Sequence, residues 1–364
     1  MSQVGHYRVI IAGGGTGGHL FPGIAVAEEW LHRNAENKIL FIGTSRGIEG
    51  GLLGKLGFDL RTIRVEGIVG RGMRMFIRNL FLIPLGMVQS LRIIRSFRPD
   101  LVLGVGGYAS GPALLVAWLL GIKTAIAEQN AQPGITNRIL GAFVRRIYVT
   151  YQETLRWFPP GKTIITGNPV RKAFITGEEA KGKKFTLLIF GGSQGSRAIN
   201  EAMIDALPYL KNAGLDLRII HQTGKGDHEE AKNAYARHGL DALVLPFITD
   251  MAPIMRGADI IVCRSGATSI AEITALGKAS ILIPFPRATH DHQTKNALAL
   301  TGRGAAEMLP ESLLNGRTLA GTLTRFYNNP ADLSRMAENS AALGNPEAAA
   351  RIVDDLTKMI GARG

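Results

Sequence analysis

The stretch Tyr7-Arg8-Val9-Ile10-Ile11-Ala12-Gly13-Gly14-Gly15-Thr16-Gly17-Gly18-His19-Leu20 decides the fold. Residues 7–12 are a short, β-branched run of the kind that forms a buried parallel strand. The next six positions hold five glycines and a threonine, a loop whose backbone can approach a ligand closely. Leu20, Ile24, Ala27 and Leu31 then recur at helical spacing. Strand, glycine loop and helix in this order place backbone N–H groups and the positive end of a helix dipole where a phosphate can bind.

The same unit starts afresh at residues 185–190, followed by Gly191-Gly192-Ser193-Gln194-Gly195-Ser196 and a helix with Ile199, Met203, Ala206 and Leu210 on one face. Between the two starts, strands are expected at 38–42, 100–105, 123–127 and 146–149. After the second, they are expected at 218–221, 243–245, 259–262 and 280–283, with a closing helix over 347–360. Short strands alternating with helices imply α/β architecture with parallel sheets. At 364 residues, two domains are the natural division, although a single (β/α)₈ barrel would also fit the length. Residues 161–184 break the periodicity and read as the linker. The expected domains are two Rossmann-like halves, 1–165 and 166–345, with 346–364 holding the closing packing helix.

Composition narrows the function. Glycine, 45 of 364 residues, is well above the usual ~7% without a collagen period, so the excess belongs to particular loops. The net charge of +13 favours an anionic partner: nucleic acid, a phosphorylated ligand or an acidic membrane. Cys263 is the single cysteine, which excludes an internal disulfide and a thiolate metal cage. Met1 leads into a strand without the features of a signal peptide, and the longest clean apolar run, 112–122, is far short of the ~20 residues that span a bilayer. Any membrane contact is expected to be peripheral.

The first loop formally contains G-x-G-x-x-G, a dinucleotide fingerprint. The expected acidic ribose ligand is missing from Gly43-Thr44-Ser45-Arg46, leaving an NADP dehydrogenase as an alternative through Arg46. His19 follows the last glycine, where a neutral imidazole could act as general base or brace the loop. In Cys263-Arg264-Ser265-Gly266-Ala267-Thr268-Ser269-Ile270-Ala271-Glu272, a strand passes through small residues into a helix. Thr268 and Glu272 share a face there, suited to a nucleoside diphosphate and its ribose diol, or Glu272 is simply a buried cap. Three more loops fall at strand ends: Gly106-Gly107-Tyr108-Ala109-Ser110-Gly111-Pro112, Glu128-Gln129-Asn130 and Gly167-Asn168-Pro169-Val170-Arg171. Glu128 could deprotonate a substrate or cap the next element, and Arg171 could pair with phosphate. His290-Asp291-His292 lacks a third supporting site, so no metal is expected. Residues 67–99 contain Arg71, Arg74, Arg78, Arg92, Arg95 and Arg98, no acidic residue, and bulky apolar side chains including Phe76 and Phe81. Such a mixture suits an anionic membrane surface better than nucleic acid; the alternative is an ordinary helix with snorkelling arginines.

Together these motifs, in this order from near residue 9 to near residue 300, resemble the MurG-type N-acetylglucosaminyltransferases of peptidoglycan synthesis. The resemblance implies a GT-B fold, two Rossmann-like doubly wound domains facing a deep cleft, with the last helix, in 346–364, returning to pack on the N-terminal domain. It implies inverting transfer of GlcNAc from UDP-GlcNAc to the C4 hydroxyl of the muramoyl sugar of lipid I, giving lipid II, without cofactor or metal. Cell-wall biogenesis, cell shape and cell division would be the processes served, at the cytoplasmic face of the membrane, with other cell-wall synthesis proteins as further partners and no nucleic acid. Carried over by residue, the donor site would use Thr16, Gly17, Gly18, Asn130, Arg171, Ser193, Ile248, Ala267, Thr268, Ser269, Ile270, Ala271, Glu272 and Gln293. Ile248 would read uracil through its backbone, Glu272 would take the ribose diol and Gln293 a sugar hydroxyl. The acceptor diphosphate would meet Gly14, Gly15, Gly106, Gly107 and Tyr108. His19 would be the base, with Glu128 as competitor, and Arg71, Arg74, Phe76, Arg78 and Phe81 would form the membrane face. A UDP-GlcNAc epimerase and a non-catalytic UDP-sugar-binding subunit are the alternatives on the same fold.

Overall fold

The computed structural model describes residues 6–15, 17–44, 49–66, 72–177, 182, 184–288 and 291–361, without the side chains of 49–50 and 72–81. The chain divides into two compact units, Met1–Lys172 with Asn345–Gly364, and Ala173–Gly344. The first runs β1 (Arg8–Gly13), α1 (Gly17–Arg33), β2 (Lys38–Thr44), α2 (Glu49–Lys55), β3 (Asp59–Ile63), α3 (Gly72–Phe97), β4 (Leu101–Gly106), α4 (Ser110–Leu119), β5 (Lys123–Glu128), α5 (Ile135–Leu140), β6 (Arg146–Val149) and β7 (Thr163–Ile165). Its strands form a parallel sheet in the order β3-β2-β1-β4-β5-β6-β7.

The second unit is entered through α6 (Lys172–Ile175) and contains β8 (Phe185–Phe190), α7 (Arg197–Asn212), β9 (Leu217–Gln222), α8 (His228–His238), β10 (Ala242–Leu245), α9 (Met251–Gly257), β11 (Ile260–Cys263), α10 (Ala267–Ala275), β12 (Ala279–Leu282), α11 (His292–Thr301), β13 (Glu307–Met308), α12 (Gly316–Asn328) and α13 (Pro330–Leu343). Its parallel sheet has the order β10-β9-β8-β11-β12-β13. Each sheet is therefore doubly wound, and its order reverses beside its first strand, between β1 and β4 or between β8 and β11. Ligands of open α/β sheets bind outside the carboxyl ends of the strands at such a point.

Side-chain alternation explains why these strands need helices on both faces. Val9 and Ile11 pack with Leu20, Ile24 and Trp30 of α1, whereas Ile10 and Ala12 pack with Ala113, Leu114 and Ala117 of α4. A parallel sheet with both faces apolar is stable only when both are covered. The last helix, α14 (Ala348–Gly361), helps to cover the first sheet. Its Ile352, Val353 and Leu356 are fully buried in the same cluster as Val9 and Trp30, and such burial contributes about 1.5–3 kcal/mol per side chain. Polar contacts fix its register: Tyr148 Oη and Arg146 Nε donate to Asp355 at 2.8 and 3.0 Å. Lys123 Nζ caps the C-terminal end through the carbonyls of Met359 and Ile360 at 2.6 and 3.0 Å.

The passage between the units lies at Lys172/Ala173, not at the expected 165/166. Part of the expected linker is ordered structure of the first unit, because β7 extends the sheet by pairing with β6. Beyond it Val170 is buried and the Lys172 amide donates to Glu28 at 3.1 Å. Arg171, expected in the second domain, consequently belongs to the first.

In the second sheet, His221 near the end of β9 is fully buried in a polar network. Asn200 Nδ2 donates to the Thr223 carbonyl at 2.8 Å and to Asp227 at 2.7 Å, which leaves its Oδ1 to accept from His221 Nε2 at 3.0 Å. The Nδ1 of His221 then accepts from Tyr235 Oη at 2.9 Å. Every polar atom of the neutral ring is satisfied, and burial pushes its pKa down to about 3 from 6.5. Between these values the unfolded chain binds a proton that the folded chain excludes. Stability from His221 is therefore complete above pH 6.5 and declines as pH falls toward 3, at up to about 1.4 kcal/mol per pH unit. Denaturant titrations should show a shallower pH slope for His221→Gln than for wild type over that window; equal slopes would contradict the assignment.

Candidate active site

In the first unit the carboxyl ends of β1 and β4 meet through bare backbone. The Gly14 amide donates to the Gly106 carbonyl at 3.3 Å. A Cβ on Gly13 would lie 2.5 Å from Gly106 O, and one on Gly107 would lie 2.4 Å from Gly14 O. Only glycine permits this approach. Ser110 Oγ, fully buried, ties the two loops by donating to the carbonyls of Ala12 and Gly106 at 2.8 and 2.9 Å. Gly15 and Gly18 are exposed above this junction, Gly17 opens α1, and Tyr108 is exposed beside it. Thr16 lies outside the described residues.

His19, half-buried in the first turn of α1, rests against Gly106, where a Cβ would come within 2.5 Å of the ring's Nδ1. Nδ1 is 3.3 Å from Gln129 Oε1. Neighbouring Glu128 is buried at the end of β5 and accepts four hydrogen bonds: from Asn130 N and Nδ2 at 3.0 and 3.2 Å, from Gly134 N at 3.1 Å and from Asn137 Nδ2 at 2.9 Å. A carboxylate so engaged anchors the 128–134 loop that carries Asn130, which is the capping role expected for it beside that of a proton acceptor. Arg171 stacks its guanidinium over the Phe21 ring of α1 at 4.2 Å.

The second unit repeats the arrangement with different fastenings. Gly195 approaches the loop after β9 so closely that a Cβ would lie 2.0 Å from Thr223 O, and the reciprocal Cβ on Gly224 would lie 2.2 Å from Gln194 O. Gln222, buried at the end of β9, joins two segments with one amide: Nε2 donates to Gly192 O at 2.8 Å, and Oε1 accepts from Ile248 N at 2.8 Å. Ser193 is exposed on the loop so held, and Ile248 is buried. Beside it α10 begins at Ala267 with Gly266 as its N-cap. Ala267, Thr268, Ile270, Ala271 and Glu272 are buried and Ser269 half-buried. Arg264 braces the loops by donating to Ser196 Oγ at 2.7 Å while pairing with Glu311 at 2.6 Å. Gln293 is fixed from both sides, its backbone carbonyl accepting from Ser265 Oγ at 2.9 Å and its Oε1 from Phe285 N at 3.0 Å. Cys263 is fully buried, and burial raises its thiol pKa, so it is a core residue without reactive character.

The structure therefore brings the expected residues together in two groups. Gly14, Gly15, Gly17, Gly18, His19, Gly106, Gly107, Tyr108, Glu128, Asn130 and Arg171 belong to the first unit; Ser193, Ile248, 267–272 and Gln293 belong to the second. Gln129 and Gln222 carry structural roles that sequence alone did not assign. Each is a polar residue at or just past the end of an apolar strand, a signal without chemical content until its partners are known. Among the described residues no three His, Cys, Asp or Glu side chains cluster as a metal cage requires; His290 lies outside them.

The face around α3 and α4 has a different character. Arg71 lies outside the described residues, as do the side chains of Arg74, Phe76, Arg78 and Phe81, although 72–81 are helical. Further along, Leu85 and Val88 of α3 and Trp118, Leu119 and Leu120 at the end of α4 are exposed, Leu119 to 62%. A shallow apolar hollow of about 260 Å³ lies between Met87, Val88, Leu91, Val116, Leu119 and Leu120. Exposed Arg92 and Arg95 sit on the same helix. No described helix is long and apolar enough to cross a membrane.

Comparison with known proteins agrees with this organisation. Residues 9–149 match the glycosyltransferase family 28 N-terminal domain and 186–352 its C-terminal domain. A UDP-N-acetylglucosamine–N-acetylmuramyl-(pentapeptide) pyrophosphoryl-undecaprenol N-acetylglucosamine transferase of Syntrophus aciditrophicus is 55% identical over 356 residues, covering 97% of this chain and 99% of the relative. The protein of the same name from Myxococcus xanthus is 47% identical, covering 95% and 91%. The crystal structure of Acinetobacter baumannii MurG superposes with a TM-score of 0.77 at 32% identity over 97% of this chain and 100% of that one. Full-length transferase relatives do not favour the epimerase alternative. The chain belongs to the MurG-type N-acetylglucosaminyltransferases of glycosyltransferase family 28.

Proposed function

We propose that the protein transfers N-acetylglucosamine from UDP-N-acetylglucosamine to the C4 hydroxyl of the muramoyl sugar of lipid I, forming lipid II with inversion at the anomeric carbon. The observation that carries this reading is the glycine loop after the first strand of each sheet, followed by a helix and packed on bare backbone: against Gly106 and Gly107 beside His19 in the first unit, and against Thr223 and Gly224 in the second. Each offers backbone N–H groups and a helix N-terminus to a diphosphate, and each helix end presents roughly half a positive charge.

The second unit binds the donor: Ile248 reads uracil through its backbone, Glu272 accepts from the ribose diol, Ser193 and the start of α10 hold the diphosphate, and Gln293 meets the sugar. The first unit binds the acceptor diphosphate at Gly14, Gly15, Gly106, Gly107 and Tyr108, with Thr16, Gly17, Gly18, Asn130 and Arg171 also addressing the donor. In the reaction the acceptor O4 attacks C1 of GlcNAc, the bond from C1 to the diphosphate oxygen breaks, and UDP departs with its electron pair. The Nε2 of His19 takes the hydroxyl proton. Fixed dipoles and the Arg171 guanidinium offset the charge on UDP, a metal-independent form of electrostatic stabilisation.

Isolated protein should convert UDP-GlcNAc and a short-chain lipid I analogue to the disaccharide product. His19→Gln should lower kcat by about 10²–10⁴-fold, the usual contribution of a general base, with little change in KM for UDP-GlcNAc. Normal kcat in the variant, or an altered sugar nucleotide formed without acceptor, would overturn the reading.

The acceptor is a lipid, and the apolar, arginine-bearing face on α3 and α4 suits a peripheral seat on an anionic membrane. Vesicles containing phosphatidylglycerol should bind the wild type in a salt-sensitive manner. Combining Arg71→Glu, Arg74→Glu and Arg78→Glu, or changing Leu119→Glu, should weaken that binding while turnover of a water-soluble acceptor analogue persists. Equal partitioning of wild type and variants would contradict it.

A further inference from the structure

A general base must present a lone pair, and an imidazole has only one. Which ring nitrogen carries it depends on the partner of the other. In the first unit that partner is Gln129, which is 1% exposed. Its amide orientation is determined by the backbone: Nε2 lies 3.1 Å from the Ala127 carbonyl, an atom that can only accept. Turning the amide over would set two oxygens against each other at that distance. The Asn137 Nδ2 also donates to Ala127 O, at 3.3 Å, which confirms the carbonyl as the local acceptor. Oε1 of Gln129 therefore faces Nδ1 of His19 at 3.3 Å. An amide oxygen cannot donate, so the pair bonds only when Nδ1 carries the proton.

We propose that Gln129 is a positioning residue that holds neutral His19 in the Nδ1–H tautomer and so leaves Nε2 as the basic atom. Two supports act together. The bare Cα of Gly106 seats one side of the ring, and the Gln129 amide, anchored to Ala127, sets its protonation pattern. An unconstrained histidine prefers the opposite tautomer, with the proton on Nε2, so the preference is imposed by the fold. His221 provides an internal contrast, because Asn200 Oδ1 accepts from its Nε2 and Tyr235 donates to its Nδ1. The same reasoning assigns it the Nε2–H form. This proposal rests on the reading of His19 as base for its catalytic consequence, but not for its tautomer.

The test is 15N NMR of histidine-labelled full-length protein at a pH where the rings are neutral, with His19 assigned by comparison with His19→Gln. The wild type should show a pyrrole-like Nδ1 and a pyridine-like Nε2 for His19, and the reverse for His221. Gln129→Met should return His19 toward the Nε2–H form and lower kcat by about 10-fold to 100-fold, a part of the 10²–10⁴ that the base supplies, with KM for UDP-GlcNAc unchanged. A wild-type His19 protonated on Nε2 would overturn the proposal without recourse to any variant, as would an unaltered tautomer in a folded Gln129→Met. If His19 is held as Nδ1–H while His19→Gln turns over normally, the positioning claim stands and the assignment of His19 as base falls.

Discussion

Across the switch point of the first sheet, two backbones run so close that no side chain fits between them. Gly13 and Gly14 lie against Gly106 and Gly107, joined by one amide-to-carbonyl bond at 3.3 Å and tied from below by Ser110. The absence of Cβ atoms at Gly13 and Gly107 is what allows the β1 and β4 loops to merge into one backbone surface. It also determines where His19 can lie, because its ring occupies the space that a side chain at position 106 would claim. The rest of the first unit serves this junction: β5 delivers Gln129 to the ring, Glu128 organises the loop that carries Asn130, and α14 completes the cover over the sheet.

The second unit meets the same constraint with a different solution. Its glycine loop is pressed onto the loop after β9 at Gly195 and Gly224, and the Gln222 amide links that loop to the backbone of Ile248. Below it, His221 is kept neutral by burial and by a network whose every member is satisfied. Buried polar groups of this kind specify one arrangement because any other leaves a donor or acceptor unpaired. The two glycine loops are thus each held by one buried glutamine or serine and by glycine contacts, with few side chains intruding.

Much of this was legible in the sequence because it rests on local pattern. The strands that open each unit, the glycine loops after them and the helix periods that follow are all short-range signals. What escaped has physical reasons. β3 is an edge strand with mostly exposed side chains, β7 and β13 have three and two residues, and none offers an apolar run to detect. The segment 166–172 belongs to the first unit through the buried Val170 and the Lys172 amide on Glu28, contacts without local pattern, so the boundary was expected seven residues early and Arg171 in the wrong unit. Residues 112–122 look uniformly apolar because α4 buries Ala113, Leu114 and Ala117 in the core while exposing Trp118 and Leu119 at its end. A carboxylate after a strand can be either anchor or acid-base group, and the four donors that make Glu128 an anchor of its loop come into view only in the fold. Gln129 and Gln222 stood out only as polar residues at strand ends, because the partners that give them their roles, His19 for one and Gly192 and Ile248 for the other, are distant along the chain.

The central claim, that bare backbone at the β1/β4 junction positions His19, is tested most directly by adding one methyl group. Gly106 has φ +95° and a Cβ there would lie 2.5 Å from His19 Nδ1, so alanine must displace the ring or the strand end. With the chain shown to be folded, Gly106→Ala should keep most of its affinity for UDP, since the proposed uracil and ribose contacts, Ile248 and Glu272, lie in the second unit. Its transfer of GlcNAc to a lipid I analogue should fall by at least about 100-fold, as expected when a base is moved out of reach. Wild-type turnover by a folded Gly106→Ala protein would contradict the account.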